Sequence, residues 1–240
     1  MIEVIKDEMP NVYVKAYTAV EITYISKKSG LSIKEVLQEL KKSGLDAMPG
    51  GGAEILIDNI RKEICPDKCS DIEWLEVHRQ AHLINIPTNA TILYGHIETI
   101  EDRIEHMVKL RTLQDETNGF NAFIPLKYRV KNNILPIENE TTVIEDLKNY
   151  ALSRIFLDNF RNIKAYWPMI GRQSACLSLS FGVNDLDGTI DDSTKIYTMA
   201  GSEEQKPAMT TDEMIRIIKE SKKIPVERDT VYHEIETFEN

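Results

Sequence analysis

The sequence predicts an α/β fold of repeated strand-then-helix units, a partial (β/α) barrel of the TIM type. Short apolar runs alternate with stretches of helical periodicity along the 240 residues, mostly through short connections. Two runs end in glycine followed by glutamate, Met48-Pro49-Gly50-Gly51-Gly52-Ala53-Glu54-Ile55 and Leu93-Tyr94-Gly95-His96-Ile97-Glu98. Strand ends that hold ligands look like this, because glycine lets backbone amides approach closely and glutamate supplies a carboxylate. Two such loops in successive units point to one site at one face of a barrel. The dinucleotide-binding alternative lacks its fingerprint, since Gly50-Gly51-Gly52 does not extend to G-x-G-x-x-G.

The elements follow in order. Met1 to Glu8 reads as the tail of an amphipathic helix, Val12 to Tyr17 as a strand, and the stretch through Ile25 as helical. Ser32-x-x-Glu35 is a capping box, opening a helix that ends at Gly44. Leu45 to Met48 is a short buried strand feeding the glycine loop. Ala53 to Ile64 is expected to be helical, with Ile57, Ile60 and Ile64 on one face and its N-terminus open to anions. Ser70-x-x-Glu73 starts a helix to about Ile84. A strand over Thr88 to Tyr94 leads to a helix over Glu101 to Glu116, closed near Gly119. Phe120 to Leu126 is a strand, and a polar loop with Asn132, Asn133 and Pro136 follows. Thr142-x-x-Glu145 caps a helix to about Asn159. Ile163 to Trp167 is a strand, Arg172 to Phe181 a helix and Asp185 to Ile190 the last strand. Ser202 to Thr210 is a linker, and Thr211 to Lys222 a terminal amphipathic helix. The expected division is therefore a barrel portion over 1–201 and a linker, helix and tail over 202–240. A closed barrel has about eight units. Fewer are visible here, so the first strands are expected to be missing.

A formal charge of −10 argues against a nucleic-acid partner, which needs a basic face. No apolar run reaches membrane-spanning length and residues 1–15 lack the layout of a signal peptide. Three cysteines make no disulfide framework, so a cytoplasmic setting is expected.

Cys65-x-x-x-Cys69 has part of the spacing of an iron–sulfur ligand run, but the third position of a C-x3-C-x2-C set is Ile72. No metal ligand is assigned to the pair. Cys176 lies in a helix beside Leu177 and Leu179 and is expected in the core. His78 and His82 stand four apart on one helix, a metal-compatible spacing. Arg79 replaces a zincin's glutamate and no third ligand follows, so a surface or boundary role is expected. Polar residues at strand ends carry more weight: Asn89 and Thr91, then Asn121, then Tyr166, then Asp185 and Asp187, two apart and on one face.

Longer segments add to this reading. They are Met48-Pro-Gly-Gly-Gly-Ala-Glu-Ile55, Ile64-Cys-Pro-Asp-Lys68, Asn89-Ala-Thr-Ile-Leu-Tyr-Gly-His96, Leu113-Gln-Asp-Glu-Thr117 and Asn121-Ala-Phe-Ile-Pro-Leu126. Ile163-Lys-Ala-Tyr-Trp167, Asn184-Asp-Leu-Asp-Gly-Thr189, Lys195-Ile-Tyr-x-Met-Ala-Gly201 and Pro225-Val-Glu-Arg-Asp-Thr230 continue the series. Together they resemble the radical S-adenosylmethionine enzymes of menaquinone and deazaflavin cofactor biosynthesis, across nearly the whole chain. The early motifs are shared with dehypoxanthine futalosine cyclase and the tyrosine hydroxybenzyl transferase of deazaflavin synthesis. The segments from Ile163 onward favour the aminofutalosine synthase branch.

The resemblance implies S-adenosylmethionine and a 4Fe–4S cluster as cofactors, a small-molecule substrate and an electron donor. For that branch it implies a 5′-deoxyadenosyl radical that adds to 3-[(1-carboxyvinyl)oxy]benzoate, giving 6-amino-6-deoxyfutalosine and bicarbonate. The alternatives are the cyclase, the deazaflavin transferase or, in another class, a non-catalytic barrel fragment. Gly50, Gly51, Gly52 and Glu54 are implied contacts to the ribose or methionyl part, and Gly95 and Glu98 match a glycine-x-x-glutamate element lining the adenosyl group. Position at strand ends puts Asn89, His96, Asn121, Arg129 and Asp185 on the substrate side. One departure stands out. The family's C-x3-C-x2-C motif is absent, so the expectation is a barrel truncated at its N-terminus and inactive without the cluster-binding segment.

Overall fold

The computed structural model describes residues 1–133, 135–191, 199, 201 and 207–239. Its fold is α/β, as the sequence predicts. Residues 195–198 and 200 of the Lys195 motif, and 202–206 of the predicted linker, lie outside the described residues. The chain divides into two compact units, residues 1–92 with 99–123 and residues 93–98 with 124–240. The main sheet has the strand order β1-β2-β3-β4, formed by β1 (Thr88–Tyr94), β2 (Phe120–Lys127), β3 (Asn162–Ala165) and β4 (Asp185–Leu186).

The first unit carries α1 (Ile2–Glu8), α2 (Ala19–Ser29), α3 (Ile33–Lys42), α4 (Asp58–Ile64), α5 (Asp71–Leu83) and α6 (Ile100–Thr117). The predicted strands at 12–17 and 45–48 form single parallel bridges, Lys15 with Ala47 and Met48 with Thr88. Both expected capping boxes form, at Ser32–Glu35 and Ser70–Glu73, each side chain accepting from the other residue's amide. Helices α2, α3 and α5 pack on one another and α5 packs on α6, with Ile22, Leu37, Trp74 and Leu110 fully buried.

Two expectations fail here. The helix expected from Ala53 begins only at Asp58, because Gly52 (φ +80°) and Glu54 (φ +44°) adopt left-handed conformations that no helix continues. The carboxyl end of the glycine loop is therefore not a helix N-terminus. His78 and His82, expected at a surface or boundary, are in the core instead, at 0% and 8% exposure. Their rings are buried with Trp74 and Phe120, at centroid distances of 3.8 Å for Trp74–His78 and 4.7 Å for His82–Phe120. Gly119 makes room, since a Cβ there would collide with the His82 ring. Both histidines reach the buried Thr88 hydroxyl, so an aromatic layer satisfies polar atoms that spacing alone could not reveal.

The second unit carries α7 (Val143–Phe156), α8 (Trp167–Ile170), α9 (Arg172–Ser178) and α10 (Thr211–Glu220). Thr142 and Glu145 form the expected box at the start of α7. Strands β3 and β4 pair in parallel, Lys164 opposite Asp185 and Ala165 opposite Leu186. The strand expected to reach Trp167 stops at Ala165, because Pro168 sits at the start of a short helix where its missing amide costs nothing. The strand expected over 185–190 divides. After β4, β5 (Ile190–Asp191) pairs antiparallel with β6 (Ala208–Met209). β7 (Val226–Arg228) and β8 (Glu234–Thr237) form an antiparallel hairpin with a bulge at Glu227/Arg228. Cys176, expected in the core, is half-buried with Sγ 2.9 Å from Ser221 Oγ. Among the described residues no helix is long and apolar enough to cross a membrane.

Candidate functional site

In the first unit the glycine loop is pinned by its carbonyls. Thr91 Oγ1 donates to Gly50 O at 2.6 Å, Trp74 Nε1 to Gly51 O at 3.3 Å and the Arg61 guanidinium to Gly52 O at 3.2 Å. Arg61 also donates to Ala53 O and Ile55 O. The amides of Gly50, Gly51, Gly52 and Glu54 donate to no protein acceptor among the described residues. The loop thus spends its acceptors on the protein and keeps donors for something else. Glu54 forms an ion pair with Lys68. Asn89 is 6% exposed and its Oδ1 has no hydrogen-bond partner, an unusual state for a buried carboxamide oxygen. Asn121, half-buried on β2, follows Phe120, whose ring meets those of α5, so the asparagine side chain leaves the opposite strand face.

The strand–loop contact at Gly50 is tight. A Cβ there would lie 2.5 Å from Asn89 O and 3.0 Å from Ala90 C, both main-chain atoms. Gly50→Ala is expected to destabilise the protein by about 1–3 kcal/mol through forced backbone shifts. Gly51→Ala should cost less, since its Cβ would meet only the Thr18 side chain, with Cγ2 at 2.9 Å. Urea unfolding of the two variants measures the contrast.

In the second unit Glu98 organises its own loop. Its carboxylate accepts from Gly95 N at 2.6 Å and His96 N at 2.8 Å, with His96 Nδ1 3.1 Å away and both side chains fully buried. His96 Nε2 lies 3.0 Å from Leu93 O. Beneath this loop Asp146 accepts from Tyr94 OH at 3.0 Å and Thr141 Oγ1 at 2.6 Å, and pairs with Lys127 Nζ at 2.9 Å. Arg129, 7% exposed, faces Glu140 at 3.3 Å and donates to Met169 O.

Asp185 belongs to a buried charge cluster. Arg228, from the C-terminal hairpin, grips it with two bonds of 2.7 and 3.1 Å, and Lys164 Nζ lies 3.4 Å from it and 2.8 Å from Asp187. Burial pulls the Lys164 ammonium down, but Asp185 and Asp187 outweigh it and leave the pKa above the usual lysine value. The Tyr232 phenol is pushed up to about 12, by burial first and then by Asp185. Sequence reading missed Arg61, Lys164, Arg228 and Tyr232. Lys164 and Arg228 fall inside segments that carry the family resemblance, and Arg61 falls on the Ile57–Ile64 stripe where a charge does not belong.

The comparisons with known proteins bear on all of this. A family model described as the CofH/MqnC C-terminal region matches residues 117–240. Aminodeoxyfutalosine synthase of Thermus thermophilus is 48% identical over 243 aligned positions, covering 100% of this chain and 65% of the relative. The chain belongs to the CofH/MqnC family. Another relative, 5-amino-6-(D-ribitylamino)uracil–L-tyrosine 4-hydroxyphenyl transferase 1 of Methanosarcina acetivorans, is 43% identical over 98% of the chain and 64% of its own length. This chain therefore spans slightly less than two thirds of either relative. Methylornithine synthase has the same fold at a TM-score of 0.59 and 13% identity, covering 92% of this chain and 60% of that one. The hydrogenase maturase of Carboxydothermus hydrogenoformans gives 0.58 and 13%, covering 90% and 55%. The chain shares its α/β fold with these two proteins.

Membership of the CofH/MqnC family implies S-adenosylmethionine and an iron–sulfur cluster. The cluster does not fit the residues of this chain. Cys65 and Cys69 are buried, and burial pushes both thiols up, against the thiolate a cluster needs. Among the described residues no three His, Cys, Asp or Glu side chains are placed to hold a metal ion. S-adenosylmethionine fits better, because the unengaged loop amides and Asn89 Oδ1 offer donors and an acceptor for its polar atoms.

Proposed function

We propose that this chain is part of an enzyme that makes 6-amino-6-deoxyfutalosine and bicarbonate from S-adenosylmethionine and 3-[(1-carboxyvinyl)oxy]benzoate. The observation that carries the reading is 48% identity to aminodeoxyfutalosine synthase along the whole chain. When bound, the cofactor supplies the 5′-deoxyadenosyl group for transfer. This chain's residues bind and orient. In the first unit Gly50, Gly51, Gly52 and Glu54 take the cofactor, while Asn89 and Asn121 serve the substrate. In the second unit Gly95 and Glu98 take the cofactor, while His96, Arg129 and Asp185 serve the substrate. The reading brings an electron donor as partner and the cytoplasm as location.

Mass spectrometry of the complete enzyme carrying this chain tests the reaction. 6-Amino-6-deoxyfutalosine is the expected product. Turnover of tyrosine with 5-amino-6-(D-ribitylamino)uracil instead would transfer the chain to the activity of its Methanosarcina acetivorans relative. Glu98→Gln should weaken S-adenosylmethionine binding about ten- to a hundredfold, since the loop it organises loses charge-assisted bonds. Unchanged affinity by calorimetry would remove Glu98 from the cofactor's site.

A further inference from the structure

The C-terminal hairpin of β7 and β8 has little to hold it in place. Two short strands are marginal on their own in water, and Val226, Glu227 and all of Glu234–Thr237 are exposed. Between residues 222 and 239 only Pro225 and Tyr232 are buried. The Arg161–Glu234 pair, 3.7 Å apart and open to solvent on both sides, adds little. The remaining attachment is a polar latch. Arg228 donates two bonds to Asp185, at 2.7 and 3.1 Å, and its Cζ lies 4.0 Å from the Tyr232 ring centroid. Tyr232 OH reaches the same carboxylate at 3.4 Å, and Lys164 Nζ lies 5.8 Å from the ring centroid. The second observation is in the backbone. Tyr232 has φ +69°, a left-handed conformation strained for a bulky side chain. Asp229 holds the turn around it, its Oδ1 accepting from Val231 N and His233 N at 2.8 Å each. The strained residue is thus the one whose phenol is buried, so burial supports a strain that opening would release.

We propose that residues 226–237 form a strap, latched onto Asp185 by Arg228 and Tyr232, that opens as one piece while the rest of the second unit stays folded. Ile163 and Ala165, fully buried, alternate with Lys164, so the lysine leaves the opposite face of β3. The strap covers that face. Its opening hydrates Lys164, Asp185 and Asp187 together, so no charge is left buried without a partner. Local opening of this kind costs less than global unfolding, because the strap buries few apolar side chains. With the strap shut, both Asp185 oxygens are engaged. Where Asp185 serves the substrate, as proposed for this chain, only the open strap frees it, and that consequence alone rests on the proposed reaction.

Hydrogen exchange of the full chain, followed by mass spectrometry at residues 226–237 and 162–165, tests the strap alongside urea unfolding. Amides of the wild-type hairpin should exchange at least about tenfold faster than those of β3. Arg228→Met should speed the hairpin by about a further tenfold, the worth of one charged hydrogen bond, with the urea midpoint nearly unmoved. An Arg228 fixed in the fold behaves differently. Its loss would strand Asp185 in the interior and lower the midpoint, with no selective change in the hairpin. That result overturns the strap, as does a hairpin that exchanges no faster than β3 or is indifferent to Arg228→Met. Arg228→Lys keeps the charge without the two-pronged grip and should exchange at a rate between those of the wild type and Arg228→Met. No substrate enters these measurements, so the strap can fail while the proposed reaction stands. Failure to form 6-amino-6-deoxyfutalosine would in turn leave the strap untouched.

Discussion

Acidifying the protein from about pH 6.5 to about pH 4.5 is expected to remove about 5 kcal/mol of folding stability through His82 and His106. Burial holds the His82 imidazole down at about 4 and His106 at about 3. Across this window the folded rings stay neutral while those of the unfolded chain, at about 6.5, take up protons. The unfolded state then binds more protons, so stability rises with pH, is fully present above about 6.5 and is lost as pH falls toward the folded values. Each ring contributes about 2.5 kcal/mol by about pH 4.5. The bonds show why the neutral form is required. Thr117 donates its hydroxyl to Leu113 O at 2.8 Å, so His82 Nδ1, 2.7 Å away, must be the donor to Thr117. His82 Nε2 is therefore an acceptor and receives the Thr88 hydroxyl, which in turn accepts from His78 Nδ1. A proton on His82 Nε2 would face the Thr88 hydrogen. His106 Nδ1 accepts from Leu56 N at 2.9 Å and has the same restriction. The carboxylates Glu73, beside Lys27, and Glu116, beside Arg79, are held below the usual value, so their contributions persist to lower pH. Urea midpoints at the two pH values are the measurement, with His82→Gln and His106→Gln each expected to flatten the pH slope. A midpoint that does not move would show that the rings charge in place.

What the sequence reveals and conceals here divides along chain distance. Capping boxes at Ser32, Ser70 and Thr142 are readable because both partners lie within one turn, and the structure forms all of them. Helical periodicity over Glu101–Glu116 is readable for the same reason. The start of α4 is not, since Glu54 is turned left-handed in a loop whose carbonyls bond Arg61 and Trp74, contacts no local pattern encodes. The histidines mislead because four-residue spacing looks like a ligand pair, while their actual partner, Thr88, lies on a strand. Asp185 was legible as a strand-end carboxylate, but Arg228 reaches it from the far end of the chain. Site loops were legible through glycine and glutamate. Their supports were not, because a lysine or aspartate beneath a loop has the same composition as one on the surface.

Lys127→Met is expected to cost about 3–5 kcal/mol, the range for stripping one member from a buried ion pair. Lys127 and Asp146 side chains are 8% and 3% exposed and 2.9 Å apart. Lys127 Nζ also donates to Thr141 O at 2.6 Å, and Asp146 Oδ1 accepts from both Tyr94 and Thr141. Without the ammonium, the Asp146 carboxyl is left in the interior with two neutral donors, which return only part of its lost hydration. The double variant Lys127→Met/Asp146→Leu removes both charges, so it should recover more than half of the loss, and the urea midpoints of the two variants measure the difference. The consequence for the site is separate from that for stability. Tyr94 precedes Gly95, and a Cβ at Gly95 would lie 2.8 Å from Thr141 Cγ2, so the Asp146 network sets where the Gly95–Glu98 loop sits. The double variant should therefore fold yet show faster hydrogen exchange at residues 95–98 than the wild type. A double variant as unstable as Lys127→Met would mean that packing rather than the unpaired carboxylate sets the cost, and unchanged exchange would mean that Glu98 holds the loop unaided.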